Sequence, residues 1–169
     1  MRRSPYVIAF VLAVVMFVLV APEVNEGNAM DPTIQDGQIL VVSKTAFSEN
    51  RGAPDRGQIV ILEKLAAKGV SEDNLIARVA GLPGETVTVK KGEILIDGEP
   101  YVTENGISGA GALEEMQVEL TDSQVFLLCD NREELMDSRN NALGAVELTD
   151  IKGKVLFSVW PFSRLGGIE

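Results

Sequence analysis

The segment from Ser4 to Pro22 constrains this chain most, because it contains no charged residue and, from Tyr6 to Ala21, only apolar ones. As a helix, its nineteen residues would extend about 28 Å, close to the ~30 Å hydrocarbon core of a bilayer. Arg2 and Arg3 precede it and favour a cytoplasmic N-terminus. The segment therefore predicts one transmembrane helix in the plasma membrane, with the remainder of the chain outside the cytoplasm.

A cleaved secretory signal is the competing interpretation, since the apolar region of such a signal, about 7–15 residues, is only slightly shorter. Ala21 offers a small residue before a cut. Leu19 is too bulky for the second small position, however, and Pro22 would follow the cut and impair it. We therefore expect residues 1–22 to form a cytoplasmic end and a retained anchor, and residues 23–169 to form one extracytoplasmic domain.

The sequence after the apolar segment, residues 23–169, predicts a mainly β domain. Short runs rich in Val, Ile and Leu alternate with Gly, Asp, Asn and Pro, as is typical of many short strands. Asp97-Gly98 and Lys91-Gly92 predict tight turns, and residues 45–56 and 103–116 predict surface loops. The predicted strands are 38–44, 58–64, 75–81, 85–91, 93–98, 117–121, 124–130 and 152–160.

Charge and composition exclude several classes of function. The chain carries 15 Lys and Arg against 25 Asp and Glu, and so lacks the basic stripe that nucleic acid needs. It has no histidine, which excludes a Ser-His-Asp or Cys-His arrangement and a His-ligated metal. The single cysteine, Cys129, cannot form an internal disulfide. Nothing in the sequence indicates a metal or organic cofactor, and nothing fixes an oligomeric state.

Three separated segments carry the functional signal. The first is Gly27-Asn28-Ala29-Met30-Asp31-Pro32-Thr33, and the second is Ala77-Arg78-Val79-Ala80-Gly81-Leu82-Pro83-Gly84-Glu85. The third combines Cys129-Asp130-Asn131-Arg132 with Asp137-Ser138-Arg139. In this order after one N-terminal anchor, these segments resemble those of the type I signal peptidases.

The resemblance implies a fold and a chemistry. The fold is a domain of coiled antiparallel β-sheets that lies against the membrane through an apolar rim and binds a signal peptide as an added strand. The chemistry is that of a Ser/Lys dyad, in which a buried neutral lysine takes the proton of an attacking serine. The family is not known to need a cofactor.

This sequence departs from the family at the dyad itself. The position of the nucleophile holds Ala29 and that of the general base holds Ala77, and neither methyl group can exchange a proton. Leu135 stands where many members have serine, and Cys129 stands where glycine is usual. Natural loss and deliberate replacement both account for the paired alanines; Leu135 and Cys129 favour natural loss, because an inactivating design has no need to alter them.

The other motif residues have predicted roles as well. The resemblance places Met30 beside the scissile bond, where it would contact a peptide. Asp130, Arg132, Asp137 and Arg139 are expected to form a buried ion-pair and hydrogen-bond cluster that supports the site. Ser138 and Cys129 are weak replacement nucleophiles, since one lies in this supporting segment and the other has no histidine to activate it.

The sequence thus predicts a membrane-anchored signal peptidase homologue, inactive as written, that binds or positions a secreted or surface, pilin-like precursor in extended conformation. The alternative is an active signal peptidase I, with serine and lysine at positions 29 and 77 in a parent form or with unrecognised catalytic residues. A third interpretation is a tethered structural domain whose groove is unused.

Overall fold

The computed structural model describes most of the body and little of the N-terminal segment. Among the described residues no helix is long and apolar enough to cross a membrane. The predicted span from residue 4 to 22 lies largely outside those residues and stays a prediction there, as does the division into an anchor and a domain. The last three residues of the span, 20–22, are described, and they begin a β-strand (Val20–Val24) rather than end a helix. The described residues are 6, 7, 9, 10, 19–47, 52–63, 74–104, 106–109 and 115–168.

The described part of the chain contains twelve β-strands and two 3₁₀ turns, which confirms the prediction of a mainly β domain. The 3₁₀ turns are Leu148–Asp150 and Phe162–Arg164. The strands are β1 (Val20–Val24), β2 (Ile39–Ser43), β3 (Ile59–Glu63), β4 (Asn74–Gly81), β5 (Thr86–Lys90), β6 (Glu93–Ile96), β7 (Glu99–Pro100), β8 (Met116–Glu119), β9 (Gln124–Leu128), β10 (Val146–Glu147), β11 (Ile151–Trp160) and β12 (Gly166–Gly167).

The strands form two sheets, and every pairing is antiparallel, as predicted. The larger sheet has the order β1-β2-β11-β3-β4-β9-β10, with β12 paired to β11; the smaller has the order β7-β6-β5-β8. The predicted turns at Lys91-Gly92 and Asp97-Gly98 are confirmed, with all four residues at positive φ between 50° and 87°. This is the backbone that two-residue hairpins require.

Strand β4 lies at the junction of three apolar clusters. Leu75 and Ala77 belong to the first, Ile76 to a second with Met30, and Ala80 to a third under the smaller sheet. Gly81 ends the strand, where a Cβ would lie 2.7 Å from Val87 Cγ2, so only glycine lets the two sheets approach. The strand that carries the candidate base position is therefore held from both faces.

Candidate functional site

The structure brings the three sequence motifs together around the Asp130 carboxylate. Arg78 donates from Nε to Oδ1 at 2.8 Å and from Nη2 to Oδ2 at 2.7 Å. The Thr33 hydroxyl donates to Oδ2 at 2.5 Å. The N–H of Asn131 donates to the carbonyl of Ala29 at 3.0 Å. Segments far apart in the chain therefore meet at one place.

The two alanines lie against the same apolar cluster. Ala77 is fully buried there beside Val60 and Leu127, and half-buried Ala29 packs against the cluster from outside. Both side chains are methyl groups, and that of Ala77 is enclosed by the cluster. An amine placed at position 77 would thus be desolvated, which is the condition that lowers a lysine pKa.

Met30 takes a different position from the one expected of a residue that contacts a peptide. It is fully buried and packs with Ile34, Leu40 and Ile61 in the cluster on the other side of β4. Its neighbour Ala29, rather than Met30, lines the open cleft described below. A contact between Met30 and a peptide stays a prediction.

A cleft of about 630 Å³ opens beside Ala29. Its walls are the end of β1 with the residues that follow, and the first half of β4, while Ile61 of β3 contributes to its floor. Among the described residues that line it there is no serine, threonine, cysteine, lysine or arginine. The lining residues are Pro22, Glu23, Val24, Asn25, Glu26, Ala29, Ile61, Asn74, Leu75 and Ile76.

The first wall presents an unpaired strand edge. Leu19 accepts the N–H of Lys44 at 3.0 Å, and Asn25 donates its N–H to Gln38 at 2.8 Å, so the odd-numbered residues of β1 bond toward β2. Because backbone groups alternate along an antiparallel strand, the N–H and C=O of Val24 point away from β2. Strand β1 pairs with no other described strand.

The second wall presents another unpaired edge. Val79 donates its N–H to the carbonyl of Gln58 at 2.9 Å, so alternation directs the backbone of Ala77 to β3 and that of Ile76 away from it. Pairing of β4 with β9 begins only at Arg78. Between residues 74 and 77, the outer edge of β4 therefore has no partner strand among the described residues.

Asp137 and Arg139 support the site from beneath. Arg139 donates to Asp137 from Nε at 2.8 Å and from Nη2 at 2.7 Å, and both residues are buried. Asp137 Oδ2 also accepts the N–H of Cys129 at 2.8 Å, and the Ser138 hydroxyl accepts that of Leu127 at 2.9 Å. This arrangement braces the segment that carries Asp130.

Arg132 differs from its predicted role in an ion pair. Its three guanidinium nitrogens are buried and have no hydrogen-bond partner in the described part of the chain. Burial, aided by the nearby charge of Arg139, lowers the pKa of Arg132. Its backbone carbonyl does take part in the cluster, since it accepts Arg139 Nη1 at 3.0 Å.

The predicted replacement nucleophiles are occupied by internal contacts. Ser138 is buried, and its hydroxyl holds the N–H of Leu127. Cys129 is also buried, its thiol donates to the carbonyl of Met136 at 3.8 Å, and burial strongly raises the thiol pKa. A thiol that stays protonated is a poor nucleophile.

Among the described lysines, Lys152 forms an ion pair with a residue that lines the cleft. Its Nζ lies 2.6 Å from Glu23 Oε1 and 2.9 Å from Glu63 Oε1. Burial works to lower the pKa of Lys152, but the hydrogen bonds to Glu23 and Glu63 outweigh it, and the pKa is raised. The amine is thus a paired cation and not the neutral base that a Ser/Lys mechanism requires.

Among the described residues no group of three or more His, Cys, Asp or Glu side chains is placed to hold a metal ion.

The sequence motifs do not include the walls of the cleft. Glu23 and Val24 lie directly after the apolar segment, which hides the short strand, and the free edge of β4 depends on where β9 stops. The one local signal is Pro22, since proline in a strand indicates an edge.

Comparison with known proteins agrees with the motifs. Residues 3–160 match the family described as "Signal peptidase, peptidase S26". The chain is 35% identical over 173 residues to Signal peptidase I P of Bacillus subtilis subsp. natto, covering 93% of this chain and 88% of the relative. It is 34% identical over 178 residues to Signal peptidase I of Bacillus licheniformis, covering 95% and 90% of the two chains.

Among solved structures, a signal peptidase I from Enterococcus faecalis V583 matches with a TM-score of 0.45 and 21% sequence identity, covering 60% of this chain and 96% of the other. The family match and the two relatives each extend over most of the sequence. The chain therefore belongs to the signal peptidase family, peptidase S26, and is a homologue of the type I signal peptidases.

Proposed function

We propose that this protein is a membrane-anchored, non-catalytic signal peptidase homologue that holds an extended segment of a secreted or surface, pilin-like precursor. The observation that carries the proposal is the cleft between two unpaired strand edges, β1 at Val24 and β4 at Ile76. An extended peptide can bond to such edges through its main chain, and apolar lining residues can receive its side chains.

The alanines at positions 29 and 77 support the non-catalytic part of the proposal. Loss of a catalytic nucleophile or base costs on the order of 10⁶ in turnover in a well-studied serine protease. Cys129 and Ser138 are buried in other contacts, and Lys152 is ion-paired. Binding does not depend on the dyad, because the strand edges and the apolar floor belong to other residues.

The apolar rim supports a position at the membrane. Val24, Ile39 and Trp160 are paired in one row across β1, β2 and β11, and Val24 and Trp160 are 55% and 48% exposed. Phe162 lies edge-on to Trp160 at 5.0 Å between ring centroids, and Leu165 follows, also exposed. These residues, with the uncharged segment before β1, suit a domain whose cleft opens at the bilayer surface, since aromatic side chains favour that interface.

An active signal peptidase I that cleaves exported preproteins is the second candidate. The relatives named signal peptidase I favour it, and it requires serine and lysine at positions 29 and 77 in a parent form, or a catalytic pair elsewhere. In a third interpretation, the domain is structural and the cleft stays empty.

The decisive experiment compares the detergent-solubilised full chain with the double variant Ala29→Ser, Ala77→Lys. Each is incubated with a preprotein whose signal peptide ends in a small residue, and products are read by mass spectrometry. Binding is measured in parallel by co-purification of the uncut preprotein.

We expect the unmodified chain to bind without cutting and the double variant to cut after the small residue. Cutting by the unmodified chain would support the active enzyme instead. If neither protein bound or cut the preprotein, the structural interpretation would replace ours.

A further inference from the structure

We infer that the peptide held in this cleft carries lysine or arginine close to the small or apolar residue that faces Ala29. The inference rests on the proposed function and specifies the class of ligand. Its basis is the charge of the walls: Glu23 and Glu26 line the cleft, and no basic side chain is among its described lining residues.

Lys152 does not neutralise this wall. Its single ammonium group is shared by Glu23 and Glu63, at 2.6 and 2.9 Å, so the three groups together retain one negative charge. Glu26 adds a second; it is exposed and has no ion pair among the described residues.

A further carboxylate, Glu133, lies in the segment that contacts Asn28 and Ala29. The N–H of Asn131 donates to the carbonyl of Ala29, and the Asn131 side-chain amide donates to the carbonyl of Asn28 at 3.2 Å. Glu133 follows two residues later and is exposed. Glu133 therefore adds a negative charge to the segment next to Ala29, although it does not line the cleft itself.

The wall carboxylates are close to Ala29 along the chain. Glu23 lies in β1, and Glu26 lies two residues beyond the end of that strand and three residues before Ala29. All three residues line the same cleft. A basic side chain near the peptide residue that faces Ala29 would thus be attracted by these carboxylates, whereas an acidic side chain would be repelled. An exposed ion pair stabilises by about 0.2–1 kcal/mol. Two such pairs would therefore raise the affinity for a basic peptide up to about thirty-fold over that for an uncharged one.

The test uses the full chain in detergent and three dye-labelled peptides that share an apolar, alanine-containing centre. The flanks carry two lysines, two glutamines or two glutamates on each side, so the binding register need not be known. Affinity is measured by fluorescence anisotropy at low and high salt. The variant Glu26→Gln removes a wall charge, and Glu119→Gln, an exposed residue on β8 of the other sheet, is the matched control.

We expect the lysine peptide to bind about ten-fold more tightly than the glutamine peptide and the glutamate peptide to bind most weakly. This difference should shrink in high salt, which screens exposed charges. Glu26→Gln should reduce the ratio of the affinities for the lysine and glutamine peptides about two- to five-fold, while Glu119→Gln should leave this ratio unchanged.

Equal binding of all three peptides, or tightest binding of the glutamate peptide, would overturn the charge selectivity and leave the peptide-binding function standing. An equal effect of the two Gln variants would overturn the role of the wall. Failure of every peptide and of the uncut preprotein to bind would overturn the proposed function itself.

Discussion

At the scale of single residues, the surroundings of Ala77 decide what the position can do. The methyl group is fully buried among aliphatic side chains that include Val60, Val79 and Leu127. A lysine introduced there has to lose its proton or break this packing, because a charged amine without water or a partner is strongly disfavoured. A neutral amine at this depth is what a general base for serine requires.

We predict that Ala77→Lys destabilises the protein more at pH 6 than at pH 9. The introduced amine has a lower pKa in the folded than in the unfolded state, so between these two pKa values the unfolded chain binds more protons. The free energy of unfolding should then rise with pH, by at most about 1.4 kcal/mol per pH unit. Thermal melts of variant and parent across this range measure the effect. A constant difference between them would show that the amine reaches water.

Asp130 is a second residue whose environment fixes its role. It is buried and accepts both Arg78 and Thr33. Burial works to lower the pKa of Arg78, but the hydrogen bond and charge of Asp130 outweigh it and raise that pKa, so the guanidinium stays charged. Removing Asp130 would leave this charge without a partner in the protein interior.

We predict that Asp130→Ala lowers the free energy of unfolding by about 3–5 kcal/mol, the usual cost of breaking a buried ion pair from one side. The exposed residue Asp122 provides the control, and Asp122→Ala should change stability by no more than about 0.5 kcal/mol. Urea unfolding followed by tryptophan fluorescence at Trp160 compares them. Similar midpoints for the two variants would argue against the cluster as a support of the site.

At the scale of elements, the edge of β1 is the feature on which the proposed peptide binding depends. The N–H of Val24 points away from β2, and its side chain is more than half exposed. Proline at this position would remove a donor from the free edge while leaving the bonds to β2 in place, since prolines are tolerated on edge strands.

We predict that Val24→Pro weakens binding of the extended peptide about ten-fold, whereas Val24→Ala, which keeps the N–H, weakens it much less. Both variants should have circular dichroism spectra close to that of the parent. The reverse order, with the alanine variant the weaker binder, would mean that side-chain contact rather than main-chain bonding holds the ligand.

The elements also show what the sequence can and cannot predict. Runs such as residues 58–64 and 124–130 are nearly continuous in apolar residues and correspond closely to β3 and β9, because these strands are buried on both faces. Strand β1 was missed, since Val20 and Ala21 continue the apolar run before them. The free edge of β4 is a property of pairing between distant segments, so no local pattern reveals it.

The sequence predicts those parts of the candidate site that depend on the type of residue at a motif position. The positions of Ala29 and Ala77 follow from the motifs, and the structure places both against one cluster. The full burial of Met30 and the unpartnered guanidinium of Arg132 depend on how separate segments pack, and a motif match does not specify this.

At the scale of the whole molecule, the predicted membrane anchor would determine where the cleft lies in the cell. The apolar segment leads directly into β1, and β1 forms one wall of the cleft. A chain anchored through the apolar residues before β1 would hold Val24 within a few residues of the bilayer surface. The apolar rim of Val24, Trp160, Phe162 and Leu165 would then face lipid headgroups, and the cleft would meet precursors as they leave the membrane.

We predict that the full-length chain stays in the membrane fraction after an alkaline carbonate wash and keeps its N-terminal segment, as read by intact mass. An uncharged stretch of this length is held by the hydrocarbon core, whereas a rim of four exposed apolar side chains gives only reversible surface binding. The matched control replaces Val14 and Val15 by lysine, which opposes insertion by about 2.5–3.5 kcal/mol for each charge, and this variant should be released by the wash. A mature chain that began near Pro22 would identify the segment as a cleaved signal, and the rim alone would then have to keep the cleft at the membrane.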